Sequence, residues 1–423
     1  MTGIDVGALL ELVEAAPPVE AVDAVAAALA EMVEAREVSF LIADFSGRAL
    51  VRLSTARAGD GDLRALGRDR AQTLALPGSR YEDVLRTQQV DVAPLEDAWR
   101  LTAPVTDRGD AIGLIDLLLP TEPAPEVVAE VRAAAHALAY VVIAARRHTD
   151  LFEWGQRSTP FALAAEIQRR LLPAAYTCEA GQFTLAGWLE PAASVGGDTF
   201  DYTLDRDVLH LSITDAVGHQ VPAALLATLL VGALRNGRRR GLDLAAQAAY
   251  ADDALATEAP PGQFVTGQLM RIDLRTATAQ VVNAGHPFPL RLRDGRVEEV
   301  RLEVDPPFGV RSGRPFRVQT FPLQPGDRLV FLTDGMQERN AASLDVARAL
   351  AAGADLHPAR WCTPSARQSS APRAVTCATT PRWSAWTGTA ARSGLATANA
   401  APIPPARRAP RPPRVAERRG PPR

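Results

Sequence analysis

Two apolar runs, LHLSIT (209–214) and RLVFLT (328–333), each pass straight into an aspartate followed by a turn, at Asp215 and Asp334. An aspartate at the end of a strand stands on the rim of a sheet, where a rigid backbone holds a side chain able to reach a hard cation. From Gln182 onward the pattern is of alternating strands separated by acid-and-glycine turns, and SVGGDTFDY (194–202) adds Asp198 to the set. Carboxylates gathered at one point are costly unless paired, so the pattern implies bound Mg²⁺ or Mn²⁺ with water completing the octahedron. Oxygen donors without a His or Cys cluster argue against zinc and iron. Each acid-glycine pair alone is usually a plain turn; the set is what carries information.

At 423 residues, 47% hydrophobic and 22% charged, the composition is that of a soluble globular chain of two or three domains, at about 100–200 residues each. Three cysteines without CxxC spacing (Cys178, Cys362, Cys377) exclude a disulfide framework and a cysteine zinc site. The acidic N-terminus is no secretory signal, and no uninterrupted apolar run reaches the roughly 18 residues of a membrane span. The expectation is a cytoplasmic protein with no membrane contact. All 46 basic residues are Arg, and 12 of them against one Glu fall after Pro358. A basic tail can mean nucleic-acid contact, but this one lacks regular aromatics and any folded binding motif, so nucleic acid is not expected as a partner.

Four stretches together are specific where each alone is not. In sequence order they are SVGGDTFDY, TDAVGHQVPAA (214–224), VNAGHPFPLRLRDG (282–295) and GDRLVFLTDGMQERN (326–340). Preceded by Ile167, Gln168 and Leu171 to Pro173, they closely resemble the SpoIIE-type branch of the metal-dependent (type 2C) serine/threonine protein phosphatases, whose motifs run IQ..LLP, VGGDxxD, DxxGHGxxAA, NAGHxP and GDxLxxxTDGxxE. Gln220 stands where that family usually has Gly. The resemblance implies an α+β fold, a four-layer α-β-β-α sandwich, and hydrolysis of phosphoserine or phosphothreonine with two Mn²⁺ or Mg²⁺. Carried across, Asp198 holds one metal, Asp215 bridges both, the Ala216 carbonyl adds a backbone ligand and Asp334 holds the other, with Asp198 and Asp215 central to catalysis. His219 and His286 lie inside motifs and read more readily as ties between strand ends than as proton donors. Asn283 and Gly285 read as turn-formers, Asp201, Asp327 and Glu338 as outside direct ligation, and Asp252 with Asp253 as a solvated helix face.

Four regions follow. Residues 1–147 order their helices and strands as a small α/β domain resembling a GAF-type sensor, with RLTAPVTD and AIGLIDLLLP as a hairpin around Arg108-Gly109-Asp110 and an Ala-rich helix from Pro125 to Arg147. His136 on that helix reads as structural. Residues 148–176 read as a connecting helix able to pair in a homodimer, 177–358 as the phosphatase domain, and 359–423 as a disordered tail. The expected partner is a phosphorylated protein, on family resemblance an anti-sigma-factor antagonist.

The family ends in a DDxT motif and a strand, yet no Asp follows Asp355. With permitted codons, TCATTPRWSAWTGT (376–389) read from the third base of its first codon gives LRDDATVVRLDWY, the missing motif and strand. The reading is a frameshift between about His357 and Trp361, leaving three of four acidic ligands, one strand lost and an exposed sheet edge. The polypeptide is then weakly active or inactive, and a docking pseudophosphatase is the alternative.

Overall fold

Apolar residues in the N-terminal third recur with the strand period, and the computed structural model places them in a six-stranded antiparallel sheet. It describes residues 6–57, 71–158, 160–189, 197–334, 346–354 and 374–379, all within the compact unit Met1–Trp383. The elements are α1 (Val6–Ala15), α2 (Ala21–Met32), β1 (Glu37–Ala43), β2 (Ala49–Arg57), β3 (Gln72–Ala75), α3 (Arg80–Thr87), β4 (Asp91–Pro94), β5 (Trp99–Asp107), β6 (Asp110–Leu119) and α4 (Pro125–Ala145), in sheet order β3-β2-β1-β6-β5-β4. Strand alternation sorts the two faces. Val38, Phe40 and Ile42 of β1 join the core under α1, α2 and α4, while Leu41 turns to the opposite core with Val84 of α3.

The expected hairpin is present. Asp107 pairs with Asp110 across a two-residue turn in which Arg108 and Gly109 both have positive φ, 45° and 82°, matching the right-handed twist of the strands. Helix α4 spans 21 residues with a mean hydropathy of 1.6, long and apolar enough by composition to cross a membrane. Glu130, Arg132 and His136 break its apolar run without lowering its average much. Its Val131, Ala135, Leu138 and Val142 are buried in the sheet core. His136 is exposed and bonds through Nδ1 to the Thr106 carbonyl at 3.0 Å, fastening α4 to β5.

The connecting segment is not one helix. It forms α5 (Leu151–Gly155) and α6 (Leu163–Leu171), with Pro160 in the sequence between them. Pro173 ends α6, with Leu172 extended before it.

The second half holds two antiparallel sheets. The first orders β15 (Gln319–Pro322), β12 (Thr278–Ala284), β11 (Val265–Asp273), β10 (Val208–Ala216) and β9 (Asp198–Leu204). The other orders β14 (Arg296–Glu299), β13 (Leu290–Arg293), β16 (Arg328–Leu332), β17 (Ala374–Thr379), β8 (Thr184–Leu189) and β7 (Thr177–Glu179). Leu211, Ile213 and Met270 of the first share one apolar core with Leu185, Leu329 and Phe331 of the second. On the other side of the first sheet, α7 (Gln220–Arg239) and α8 (Leu244–Glu258) bury Leu230 and Ala251 against Leu269 and Val282. On the other side of the second, α9 (Val346–Ala352) buries Leu350 against Val330 and Leu332. Arg328 donates to the carbonyls of Gly353 and Ala354, satisfying the end of α9.

Strand β17 corrects the expectation of a lost strand and of a tail structureless from residue 359. Residues Ala374–Thr379 pair with β16 over five residue pairs and with β8 over six, so no gap opens between those strands. Ladder hydrogen bonds come from the backbone and are indifferent to side-chain identity, and AVTCAT carries the β-branched residues a strand favours.

Candidate metal centre

Strands β9 and β10 pair so that Asp198, the first residue of β9, lies opposite Asp215. Next to this pair, Thr199 and Thr214 join their hydroxyls at 2.6 Å. Asp198 is buried, receives the Thr333 hydroxyl on Oδ2 at 3.1 Å, and has its backbone carbonyl held by the Gln168 side-chain amide of α6 at 2.7 Å. Thr333 follows β16, so this bond brings the end of the second sheet onto the first, and Asp334 with it.

Asp215 lies within hydrogen-bonding reach of both Asp198 and Asp334. Burial first, then the charges of Asp198 and Asp334, push its carboxyl far above the usual carboxylate range. The three sequence-predicted carboxylates are therefore brought together from both sheets. Among the described residues no group of three or more His, Cys, Asp or Glu side chains is arranged to hold a metal ion; Asp215 interacts with Asp198 and with Asp334. A cluster of like charges with oxygen donors only fits a hard divalent cation and fits few other occupants.

Ala216, the fourth expected ligand, ends β10 and is buried. Its carbonyl lies against Gly197, where an added Cβ would stand 2.6 Å from the oxygen. Glycine at 197 thus admits the close approach of the Ala216 backbone next to Asp198. Gly197→Ala is expected to destabilise the protein by about 1–3 kcal/mol, read by chemical denaturation, through displacement of the Ala216 backbone.

The motif histidines differ from each other. His219 is exposed at the N-terminus of α7, with no capping hydrogen bond from its side chain, and Gln220 after it has φ 60°, the left-handed backbone for which glycine is the better residue. His286 is 3% exposed; its Nδ1 meets the Thr266 hydroxyl at 3.0 Å, while Nε2 lies toward the Leu332 backbone without a bond of normal geometry. Asn283 closes the turn by accepting from the His286 N–H at 2.8 Å and donating to its carbonyl at 3.0 Å, and Gly285 (φ 72°) has Pro307 packed where a Cβ would stand. His286 thus ties strand ends, as its motif position implied.

Burial lowers the His286 pKa from 6.5 to about 4. The unfolded chain takes up that proton below pH 6.5 and the folded one does not, so His286 makes stability fall as pH drops from 6.5 to 4, by up to about 3 kcal/mol. Asp23 and Asp110, raised to about 6 by burial, act in the opposite sense over the same range. The His286→Gln variant is therefore compared with the parent: its stability should decline less on acidification, measured by denaturant unfolding at pH 7 and pH 5.

Asp201 and Asp327 lie outside the carboxylate cluster, each engaged by arginine. Asp201 ties β9 to α7 through Arg235 (2.8 Å) and Arg238 (3.2 Å), and Asp327 is paired with Arg293 of β13. Glu338 lies outside the described residues. Asp252 is not merely solvated, since its Oδ1 receives the Gly309 N–H at 2.7 Å and anchors the loop between β14 and β15; Asp253 is exposed as expected. Gln168 and Thr333, which hold Asp198, both lie inside the motifs. The signal for them is a polar residue immediately before Asp334 and one inside an otherwise apolar helix stripe.

Residues 205–368 match the family model described as Stage II sporulation protein E (SpoIIE). Over this segment the chain resembles the SpoIIE family. The match includes Asp215 and Asp334; Asp198 lies just ahead of it. The SpoIIE-type region is similar to phosphoserine phosphatase RsbP of Bacillus subtilis, 23% identical over 185 residues, covering 43% of this chain and 45% of RsbP. It is also similar to protein IcfG of Synechocystis, 24% identical over 201 residues, covering 41% of this chain and 32% of IcfG. The chain thus spans less than half the length of either relative. Among solved structures, the RsbU and RsbW domains of Rv1364c from Mycobacterium tuberculosis are 28% identical, with a TM-score of 0.42 over 47% of this chain and 61% of that one.

Proposed function

We propose that this chain is a metal-dependent protein serine/threonine phosphatase acting on a phosphorylated regulatory protein. The observation that carries the reading is the contact of Asp215 with both Asp198 and Asp334 across two sheets. Asp198, Asp215, Asp334 and the Ala216 carbonyl would hold two Mn²⁺ or Mg²⁺. When bound, such ions lower the pKa of a water and offset charge on phosphoryl oxygens. The chain's own contribution is placement. Gln168 and Thr333 fix Asp198, Gly197 admits the Ala216 carbonyl, and the β9–β10 register sets Asp198 against Asp215.

The two sheets with α7 and α8 on one side and α9 on the other support a four-layer α-β-β-α domain, and the N-terminal sheet supports a GAF-like sensor. The substrate class, on the likeness to a phosphoserine phosphatase, is a phosphoserine protein of the anti-sigma-factor-antagonist kind. A cytoplasmic location and a homodimer through the linker belong to the same reading. Phosphate release from a phosphoserine peptide with Mn²⁺, abolished by EDTA, tests the activity; no Mn²⁺-dependent release from any phosphopeptide would reject it.

A specific observation favours a second reading, a docking module of low turnover: no Asp follows Asp355, and β17 carries no acid. Fusing the shifted-frame sequence LRDDATVVRLDWY in place of 377–389 separates the two. Turnover raised at least about tenfold by the restored acid pair supports an enzyme impaired by frameshift, and the gene's nucleotides should then read GACGAC in the shifted frame.

A further inference from the structure

The face of α4 turned away from the sheet core carries a repeat. Glu126, Ala129, Ala133, His136, Tyr140 and Ile143, with Arg147 in the turn that ends the helix, are all exposed, and steps of three and four residues alternate along the whole line. That alternation is the 3.5-residue period of a coiled-coil seam. Tyr140 is 48% and Ile143 40% exposed, and only 44% of the most apolar 18 residues of α4 are buried. A single exposed apolar residue is ordinary, whereas a line of them along a helix that already buries Val131, Leu138 and Val142 marks a contact surface. Its middle is fixed in place. His136 is bonded to the Thr106 carbonyl at 3.0 Å, and its ring stands edge-on to Tyr140 with 5.3 Å between centroids, so these side chains have little freedom left to lose on association.

The order of residues along the line selects the partner. It begins with an acid, Glu126, continues with the small Ala129 and Ala133, passes to the bulky Tyr140 and Ile143, and ends in a base, Arg147. A second copy laid end for end brings its Arg147 to Glu126, its Tyr140 to Ala133, and its Ile143 and Ala144 to Ala129, and the same contacts recur at the other end. Laid in parallel, it would set acid on acid, base on base and Tyr140 on Tyr140. Neither Glu126 nor Arg147 is held in an ion pair among the described residues, so both charges are free to engage. A patch complementary to itself after a half-turn is what a two-fold interface requires.

We propose that two copies of this chain pair through α4 in antiparallel orientation, about a two-fold axis passing between His136 and Ala137. This goes beyond the linker pairing of the reading above, since α5 and α6, of 5 and 9 residues, are shorter seams than the 21 residues of α4. A seam one helix wide stands at the small end of specific interfaces, about 1,200 Å² in total, and implies association in the micromolar range. The C-terminal ends of the two paired helices stand about 32 Å apart at 1.5 Å per residue, so the downstream halves are led away from each other.

Sedimentation velocity of the full chain at about 1–200 µM reads the association without metal or phosphopeptide, so its failure is distinct from failure of the phosphatase reading. A monomer–dimer equilibrium is expected. Tyr140→Glu, at an exposed position, should weaken it at least about 30-fold, as loss of a central aromatic anchor does. Arg147→Glu should weaken it about tenfold, and adding Glu126→Arg to that variant should restore the parental affinity. Because the two positions lie at opposite ends of one helix, the rescue acts only between copies, and only antiparallel ones. Flotation with phosphatidylcholine–phosphatidylglycerol vesicles tests a membrane as the occupant of the same face. A chain monomeric throughout, a dimer unchanged by Tyr140→Glu, no restoration by the charge exchange, or vesicle binding by the monomer in place of self-association would each overturn the proposal.

Discussion

Asp215→Asn is expected to lower Mn²⁺-dependent phosphoserine hydrolysis by at least about 100-fold, while leaving the fold intact or more stable. Asp215 is the carboxylate that touches the other two, and burial together with its neighbours' charges works against its ionisation in the bare protein. An amide of the same shape removes that repulsion and also removes the charge that would bridge two cations. Stability and activity should therefore move in opposite directions, a combination that few substitutions produce. Asp201→Asn is the contrast. It breaks a buried pairing with Arg235 and Arg238 and should cost about 3–5 kcal/mol of stability, with turnover per folded molecule little changed. Measuring kcat/KM beside thermal melting for both variants separates a metal-holding carboxylate from a structural one.

A chain ended at Arg373 should lose the folded phosphatase half, whereas one ended at Trp383 should keep it. Strand β17 is the only described link between β16 and β8, through five residue pairs on one side and six on the other. Without it the second sheet is cut in two, and the core shared by Leu185, Leu329 and Phe331 is opened at its middle. Even at about 0.5–1 kcal/mol net for each ladder hydrogen bond, the loss is of the order of a small domain's whole stability. Circular dichroism melting of the two truncated chains reads the difference; equal melting would mean that β17 contributes nothing to the sheet.

Much of this was legible because certain positions obey local rules. Asp198, Asp215 and Asp334 stand at strand edges in a pattern that stable packing does not need, and the fold brings them together. The Arg108-Gly109 hairpin and the start of α4 at Pro125 follow from turn chemistry and helix entry. The misses concern long-range partners, which leave little trace in a local pattern. Asp252 looked solvated because its partner, the Gly309 N–H, is 57 residues away. Residues 374–379 looked structureless because a strand filling a slot between two neighbours is selected by backbone pairing, and AVTCAT offers no helical or alternating apolar signal. The split of the linker at Pro160 was readable, but the apolar stripe through Phe161 and Leu163 masked it; Leu163 is in fact exposed.

Calorimetric titration of the full chain with Mn²⁺, in parallel with Asp215→Asn, addresses the carboxylate cluster without reference to any substrate. Saturable Mn²⁺ binding that weakens at least about tenfold in the variant is the predicted result. No saturable binding to the parent chain, or equal affinity in both proteins, would contradict a metal centre built on Asp198, Asp215 and Asp334.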